Sequence, residues 1–196
     1  MNRILTAIAV VAMASPAHAD LFGESLSSWQ GAYLGAQGGF IVSSEFSSSV
    51  DPTLTGTYDG NLGGLFFGYR RQFNNVVVGG EFDFMSGDNE VSFSNFAGAG
   101  SSDTGPTIYR FGGEVGYDAG RFLPYAGAGI AHWALDAING RNNALGHYIG
   151  LGLEFQTGEG TAVGVELNRH SLSDFELAPD YDLNFTTVDV NFAIHF

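Results

Sequence analysis

Apolar and polar side chains alternate with a period of two along most of the chain, and this alternation is the feature that most restricts the fold. The C-terminal segment shows it most clearly, with Val188, Val190, Phe192, Ile194 and Phe196 alternating with Asp189, Asn191, Ala193 and His195. A period of two belongs to β-strands, whose successive side chains point to opposite faces. Helical periodicity does not appear in the sequence. The pattern therefore predicts an all-β fold.

The alternating segments predict eight strands, at residues 31–42, 61–72, 76–85, 107–118, 122–135, 144–156, 161–172 and 183–196. Short connections at 73–75, 119–121 and 157–160 interleave with long ones at 43–60, 86–106, 136–143 and 173–182. Tight turns at one end and longer loops at the other are typical of an antiparallel up-and-down barrel in an outer membrane. The even number of strands places both termini at the short-turn, periplasmic end.

The less apolar face of these strands carries mainly glycine and alanine with isolated charges, as in Gly112, Glu114 and Gly116. A face exposed to water would be rich in larger polar side chains, whereas small residues suit the interior of a narrow eight-stranded barrel. The apolar face then contacts lipid, where every backbone polar group must be paired and the sheet must close. We therefore predict an eight-stranded transmembrane β-barrel, with a soluble lipocalin-like barrel as the alternative.

Aromatic residues at or near the predicted strand ends indicate interfacial belts, in which amphipathic rings lie at the level of the lipid headgroups. The residues assigned to these belts are Tyr33, Tyr69, Phe73, Tyr117, Phe122, Tyr125, Trp133, Phe155 and Phe196.

The first 19 residues resemble a secretory signal peptide: Met1 to Arg3 is positively charged, residues 4–14 are apolar, and Ala17-His18-Ala19 is a small-residue cleavage site. The apolar run is too short for a transmembrane helix, which needs about 20 residues. We expect cleavage between Ala19 and Asp20, which leaves residues 20–196 as a single barrel domain.

The formal net charge is −14, and all seven basic residues are arginine. This balance argues against nucleic acid as a partner, because phosphate binding depends on clustered basic residues. The chain has no cysteine, and its strand histidines, His132, His147, His170 and His195, have no metal-ligand spacing. The sequence thus indicates no metal site and no cofactor.

The predicted interior face carries most of the ionisable residues of the strands. They are Arg70, Glu81, Asp83, Arg110, Glu114, Glu154, Glu166, His170 and Asp189. Because a charge in a narrow lumen must find a partner, we expect Arg70 and Arg110 to bridge carboxylates on neighbouring strands in a network that plugs the barrel. Six carboxylates against two arginines also leave open a narrow, cation-preferring path.

Several phrases carry a resemblance to a known family. They are WQGAYLGAQGGF at 29–40, GGLFFGYRRQFNNVVVGGEFDF at 63–84, FLPYAGAGIA at 122–131, YIGLGLEFQ at 148–156 and the terminal phenylalanine. With them the chain resembles the small, porin-like outer-membrane barrels of alpha-proteobacteria, which share their architecture with OmpA transmembrane domains and Opa-like proteins.

The resemblance implies a structural protein of the Gram-negative outer membrane without catalytic activity. It also implies insertion by the barrel-assembly machinery, which reads a C-terminal strand that ends in phenylalanine. Phe192, Ile194 and Phe196 match that signal.

The segment from His170 to Glu176 contains an imidazole, hydroxyls and carboxylates, the groups needed for nucleophilic catalysis. It faintly resembles the lipid A deacylases of the PagL type, which have a His-x-Ser segment on the penultimate strand and a later acid. Here position 172 is Leu, and the acid would fall near Asn184. Adjacent residues of a strand also point to opposite faces. We therefore assign no catalytic residue, and a lipid A-modifying hydrolase is the least favoured alternative.

The long connections carry eleven acidic residues against the single basic residue Arg141. Such loops suit a solvated rim, and their carboxylates also suit divalent cations that bridge to lipopolysaccharide. The sequence as a whole predicts a monomeric barrel that supports envelope integrity, contacts outer-membrane lipid and lipopolysaccharide, and displays acidic loops to a partner that the sequence does not identify.

Overall fold

The computed structural model describes residues 29–48, 55–95, 98–137, 140–173 and 181–196. Their regular structure consists of strands β1 (Gly31–Ser48), β2 (Thr55–Phe73), β3 (Val76–Asn95), β4 (Gly98–Thr104), β5 (Pro106–Tyr117), β6 (Phe122–Ala137), β7 (Gly140–Gly158), β8 (Thr161–Ser173) and β9 (Tyr181–His195). The predicted signal peptide and its cleavage site lie outside the described residues. Within them, no helix is both long and apolar enough to cross a membrane.

Eight of these strands form a closed antiparallel ring in the order β1, β2, β3, β5, β6, β7, β8 and β9. The first and last strands complete it, with a register that runs from Tyr33 opposite His195 to Ser48 opposite Tyr181. Beyond the last strand, the amide of Phe196 donates to the carbonyl of Ala32 at 2.8 Å. The predicted eight-stranded, all-β, up-and-down barrel is confirmed.

The strand β4 continues β5 beyond the barrel and is not a ninth strand of the barrel wall. Ser86 of β3 lies opposite Thr107 of β5, and Asn89 of β3 lies opposite Thr104 of β4, so the register is unbroken across Gly105. The β3–β4 ribbon therefore extends the hairpin beyond the barrel wall.

The segments predicted as long loops are largely strand. β1 continues to Ser48 and β2 begins at Thr55, while β3 continues to Asn95. The sequence did not indicate these extensions, because 43–48, 55–60 and 86–95 are rich in Ser, Gly, Asp and Asn, residues that favour turns and loops. Alternation between apolar and polar residues then fades, although the ladder of backbone hydrogen bonds continues.

The two faces of the barrel wall match the alternation in the sequence. Leu151, Phe111 and Val190 point outward and each exposes more than half of its surface, whereas Asp189 and Asn191 point inward and are buried. A water-soluble protein rarely exposes so large an apolar surface. The outer wall is the surface that lipid covers.

The predicted aromatic belts are partly wrong. Tyr69, Phe73, Tyr117, Phe122 and Phe196 are exposed on the outer wall, and Phe155 is half-buried. Tyr33, Tyr125 and Trp133 instead point into the lumen, and Tyr33 and Trp133 are buried there. Closeness to a strand end was a poor guide for these three, because the parity of a residue along its strand decides which face it occupies.

Inward rings lie over glycines of the neighbouring strand. Tyr33 is opposite Gly68, and Tyr125 is opposite Gly152. A Cβ atom at either glycine would overlap the tyrosine ring. These inward glycines thus make room for rings that fill the narrow lumen, which accounts for part of the high glycine content.

We expect Gly152→Ala to destabilise the barrel by about 1–3 kcal/mol, since the added methyl group overpacks the site against Tyr125. The measurement is the urea midpoint of unfolding in lipid vesicles, followed by tryptophan fluorescence. Gly80→Ala is the matched control, because a Cβ there has its nearest neighbour at an ordinary 3.6 Å. Equal midpoints for the two variants would contradict the packing role.

Candidate functional site

The lumen is the candidate functional site, and the described side chains fill it in three layers. A small apolar cluster at the short-turn end forms the lower layer: Trp29, Val77, Leu123 and Ala162. A polar layer follows, built around two arginines. An aromatic and aliphatic cluster at the long-loop end forms the upper layer.

Trp29 anchors the lower layer. Its backbone amide donates to the side-chain oxygen of Gln72 at 3.1 Å, and its indole donates to the carbonyl of Gly120 at 3.2 Å. Its ring also meets the ring of His195 edge-on, with centroids 5.9 Å apart. Trp29, two residues before β1, thereby covers the short-turn end of the lumen.

Arg70 is fully buried and braces the lower half of the polar layer across the lumen. Its guanidinium contacts both oxygens of Glu114 at 2.5 and 2.9 Å, and both oxygens of Glu154 at 2.8 Å. It also lies over the rings of Tyr33 and Tyr125, at 4.4 and 5.6 Å from their centroids. Bidentate pairs of this kind fix geometry as well as charge.

The expectation that Arg70 bridges neighbouring strands was wrong. Glu114 lies on β5, which β3 separates from β2, and Glu154 lies on β7, on the opposite side of the ring. An eight-stranded barrel is narrow enough for one arginine to reach across it. Alternation along the sequence places these side chains on the inner face but does not say which of them touch. Closure of the narrow barrel brings them into direct contact across its diameter.

Arg110 organises the upper half of the polar layer. Its Nη2 contacts Asp83 at 2.7 Å on the adjacent strand, as predicted, and Glu166 at 3.8 Å on a strand across the lumen. Gln37 donates to the same Asp83 oxygen at 2.7 Å. The guanidinium lies 5.1 Å from the centroid of the Tyr148 ring.

Two interior carboxylates have hydrogen bonds but take part in none of the ion pairs seen among the described residues. The hydroxyl of Tyr33 donates to Glu81 at 2.8 Å. Thr187 and Asn168 donate to Asp189 at 2.8 and 3.2 Å. With two arginines for six carboxylates, the polar layer holds a formal excess of four negative charges.

Aromatic rings dominate the upper layer. Trp133 meets the rings of Phe185 and Tyr58 edge-on, with centroids 4.9 and 5.4 Å apart. His170 is fully buried and lies flat on Phe185 at 4.4 Å, with an interplanar angle of 8°. Tyr148 lies opposite His170 on the neighbouring strand β7, and the centroids of the two rings are 6.1 Å apart. These rings separate the polar layer from the long-loop end.

The proposed elements of a hydrolase do not come together. His170 is inside the lumen, whereas Ser171 belongs to the opposite, outward face, where Asn184 is its partner on β9. Asp174 and Glu176 lie outside the described residues. Over the described part of the chain, no three His, Cys, Asp or Glu side chains are grouped closely enough to hold a metal ion.

The C-terminal residues matched to the assembly signal form an outward row on β9. Phe192 and Phe196 are exposed, and Ile194 is half-buried between them. They lie where the chain closes the barrel against β1.

A closed antiparallel barrel with an apolar outer wall and a filled lumen is the architecture of a small outer-membrane barrel protein. The family comparison agrees: the model of the outer membrane protein β-barrel domain matches residues 5–196. The chain belongs to this family and is a protein of the Gram-negative outer membrane.

Solved structures with the same fold include neisserial surface protein A (NspA), with a TM-score of 0.53 and 14% identity, over 89% of this chain and all of that chain. The attachment invasion locus protein Ail of Yersinia pestis matches with a TM-score of 0.44 and 14% identity, over 84% of this chain and 99% of that one. At such identity, the likeness to NspA shows the fold alone. No curated protein gives a significant sequence match.

Sequence reasoning missed several members of the polar layer. Tyr33, Tyr125 and Tyr148 contact the arginines, and Asn168 and Thr187 hold Asp189. Tyr148, Asn168 and Thr187 share the parity of a predicted interior charge on their own strand, so counting every second residue from Glu154, Glu166 or Asp189 would have found them. Tyr33 and Tyr125 lie on β1 and β6, which carry no predicted interior charge, and they were assigned to the aromatic belts instead.

We expect Arg70→Met to destabilise the barrel by about 3–5 kcal/mol, because it leaves Glu114 and Glu154 buried without their cation. The free energy of unfolding in vesicles, from urea titration, measures this loss. Arg70→Lys should recover part of it, because the charge returns without the planar fork.

The matched control is Arg71→Met, which removes the adjacent, exposed arginine on the outer wall. It should leave the free energy of unfolding nearly unchanged. If Arg70→Met were as stable as this control, the ion pairs of Arg70 across the lumen would not stabilise the barrel.

Proposed function

We propose that this protein is a structural, non-enzymatic component of the outer membrane that supports envelope integrity as a monomer and presents acidic hairpins outside the cell. The single observation that carries this proposal is the filled lumen. Two apolar layers flank a polar layer in which Arg70 links β2 to β5 and β7. Such an interior favours mechanical rigidity over passage of solutes.

The filled layers also weigh against an open channel. Water or ions moving along the axis would have to displace the rings of Trp133, Phe185 and His170, all of which are fully buried. They would then have to pass the bidentate pairs of Arg70, which leave little room in a barrel of eight strands.

A narrow, cation-preferring pore is the second candidate, and one observation favours it. Glu81 and Asp189 add negative charge to the polar layer beyond what Arg70 and Arg110 neutralise. Carboxylates that line a narrow path attract cations. This reading requires the upper aromatic layer to open.

An interaction role for the hairpins has support in the register of their strands. Asp59 of β2 lies opposite Glu90 of β3, which lies opposite Asp103 of β4. Three acidic positions therefore share one row of the backbone register, and segments beyond a rigid scaffold often carry binding functions. The proposed partners of the barrel are outer-membrane lipid and lipopolysaccharide, and the assembly machinery through Phe196.

Conductance in planar bilayers tests the structural role against the pore. We expect the purified protein to give little steady current, because the lumen layers remain packed. Trp133→Ala with Phe185→Ala should raise the frequency of brief openings, since it removes two rings of the upper layer. A reproducible ohmic, cation-selective current from the unaltered protein would overturn the structural proposal.

A strain without the protein tests the envelope role. We expect it to admit a large hydrophilic antibiotic more readily than its parent, and complementation should restore the barrier. Mass spectrometry should find identical lipid A in both strains, because His170 and Ser171 lie on opposite faces. Loss of an acyl chain only when the protein is present would instead establish the hydrolase.

A further inference from the structure

The apolar outer face of the barrel reaches a border of polar residues on β8 and β9, and on the neighbouring strand β7 a polar residue interrupts it. On β8, the outward residues Val163, Val165 and Leu167 are followed by Arg169. On β7, His147 interrupts the outward aliphatic run between Ile149 and Leu145. On β9, Val190 and Val188 give way to Thr186. This border lies toward the long-loop end, which in barrels of this class faces the outer leaflet.

The register brings these first polar residues together. Arg169 lies opposite Ile149 on one side and Thr186 on the other. Its Nη1 donates to the hydroxyl of Thr186 at 3.2 Å. His147 lies opposite Ser171, one outward position beyond Arg169 on β8. We call Arg169, Thr186, His147 and Ser171 the β7–β9 patch.

The charge of Arg169 has no anionic partner within the described part of the chain, where the carboxylate pairs belong to Arg70 and Arg110. The outward arginines Arg71 and Arg121 differ from it in position and contact. They lie at the short-turn end, and each packs over an aromatic ring, that of Phe73 at 5.7 Å and that of Phe155 at 5.5 Å.

Arg169 instead stands among lipid-facing aliphatic side chains. Ile149 exposes 60% and Leu167 exposes 48% of its surface. A cation on the lipid face of a barrel is costly at the midplane, and the cost falls steeply toward the interface. An anionic headgroup at this height would offset that cost, because a guanidinium offers five donors and Thr186 accepts from only one of its nitrogens.

We propose that the β7–β9 patch binds the phosphate of a phosphorylated outer-leaflet lipid, with Arg169 donating to the phosphate oxygens. Thr186 holds the guanidinium against the wall, and His147 and Ser171 add donors one outward position nearer the long-loop end. The acyl chains of the lipid lie along Ile149, Leu151 and Leu167. Because guanidinium and phosphate match in bidentate geometry, the site favours a phosphate over an isolated hydroxyl-rich sugar.

This inference rests on the proposed function, since it supplies a lipid contact by which the barrel acts within the envelope. The two can fail separately. The strain comparison tests the envelope role in cells, whereas the site is tested on the purified full chain in vesicles of known composition.

The experiment measures the temperature of unfolding, and the lipid retained in native mass spectrometry, for protein in phosphatidylcholine vesicles. The vesicles contain either no addition, phosphorylated lipid A, or lipid A whose phosphates have been removed. A fourth sample receives inorganic phosphate in solution. We expect phosphorylated lipid A to raise the unfolding temperature and to be retained, and the other three samples to show neither effect.

Arg169→Gln should weaken retention of phosphorylated lipid A by about tenfold, the scale of one charge-assisted hydrogen bond. Arg169→Lys should retain the lipid to an intermediate degree, because it keeps the charge without the fork. Arg71→Gln is the matched control and should bind as the unaltered protein does, since it removes an outward arginine at the opposite end.

Three results would overturn the proposal. Equal retention by Arg169→Gln and the unaltered protein would remove Arg169 from the site. Equal retention of the dephosphorylated lipid would show that the acyl chains alone are recognised. The same stabilisation by inorganic phosphate in solution would make the patch a general anion site with no lipid specificity.

Discussion

Closure of the sheet is the constraint on which the rest of this structure depends. In hydrocarbon, an unpaired backbone amide or carbonyl costs several kcal/mol, so a sheet in the membrane cannot keep a free edge. Here β9 pairs with β1 over all fifteen of its residues, from His195 to Tyr181, with one irregularity near Ile41. Once eight strands close, the diameter is set, and everything on the inner face must fit within it.

That narrow interior explains features that have no local cause. Glycines face the lumen because inward tyrosines need the space, as at Gly68 and Gly152. Arg70 can hold carboxylates from β5 and β7, the fourth and sixth strands of the ring, because the distance across the lumen is short. Burial also makes each ion pair costly to break, so the polar layer is stable only while both partners are present.

The outer wall follows from the same closure in a different way. The outward face of each strand meets lipid. The apolar residues on that face therefore mark the part of the strand within the hydrocarbon, and the first polar residue beyond them marks the edge of that part. Arg169 on β8 is one such residue, and the register gives it neighbours from β7 and β9. The barrel therefore carries two separate sets of charged residues. Those inside pair across the lumen, and Arg169 on the outer wall is directed to the lipid surface.

Much of the fold was accessible from the sequence, and the errors are informative. The period of two predicted all eight strands of the barrel wall, and it predicted the inward face of β9 from Asp189 to His195. It failed for the outer hairpins, whose sequences are rich in Ser, Gly and acidic residues and do not alternate, so β4 and the extension of β3 to Asn95 were read as loop. Tyr33 and Trp133 were assigned to the outer belts by their closeness to strand ends, although the parity of their strands places them inside.

The sequence by itself determined the parity of each strand, and thus which side chains share the lumen and which meet lipid, because side-chain direction in a strand is a local property of the backbone. Only the tertiary structure decided which members of the inward set touch. The partners of Arg70 are distant in sequence and lie across the ring, and Arg169 meets Thr186 only through the register of β8 with β9. Contact across a lumen depends on diameter and stagger, and these are set by closure of the whole sheet and by no single segment.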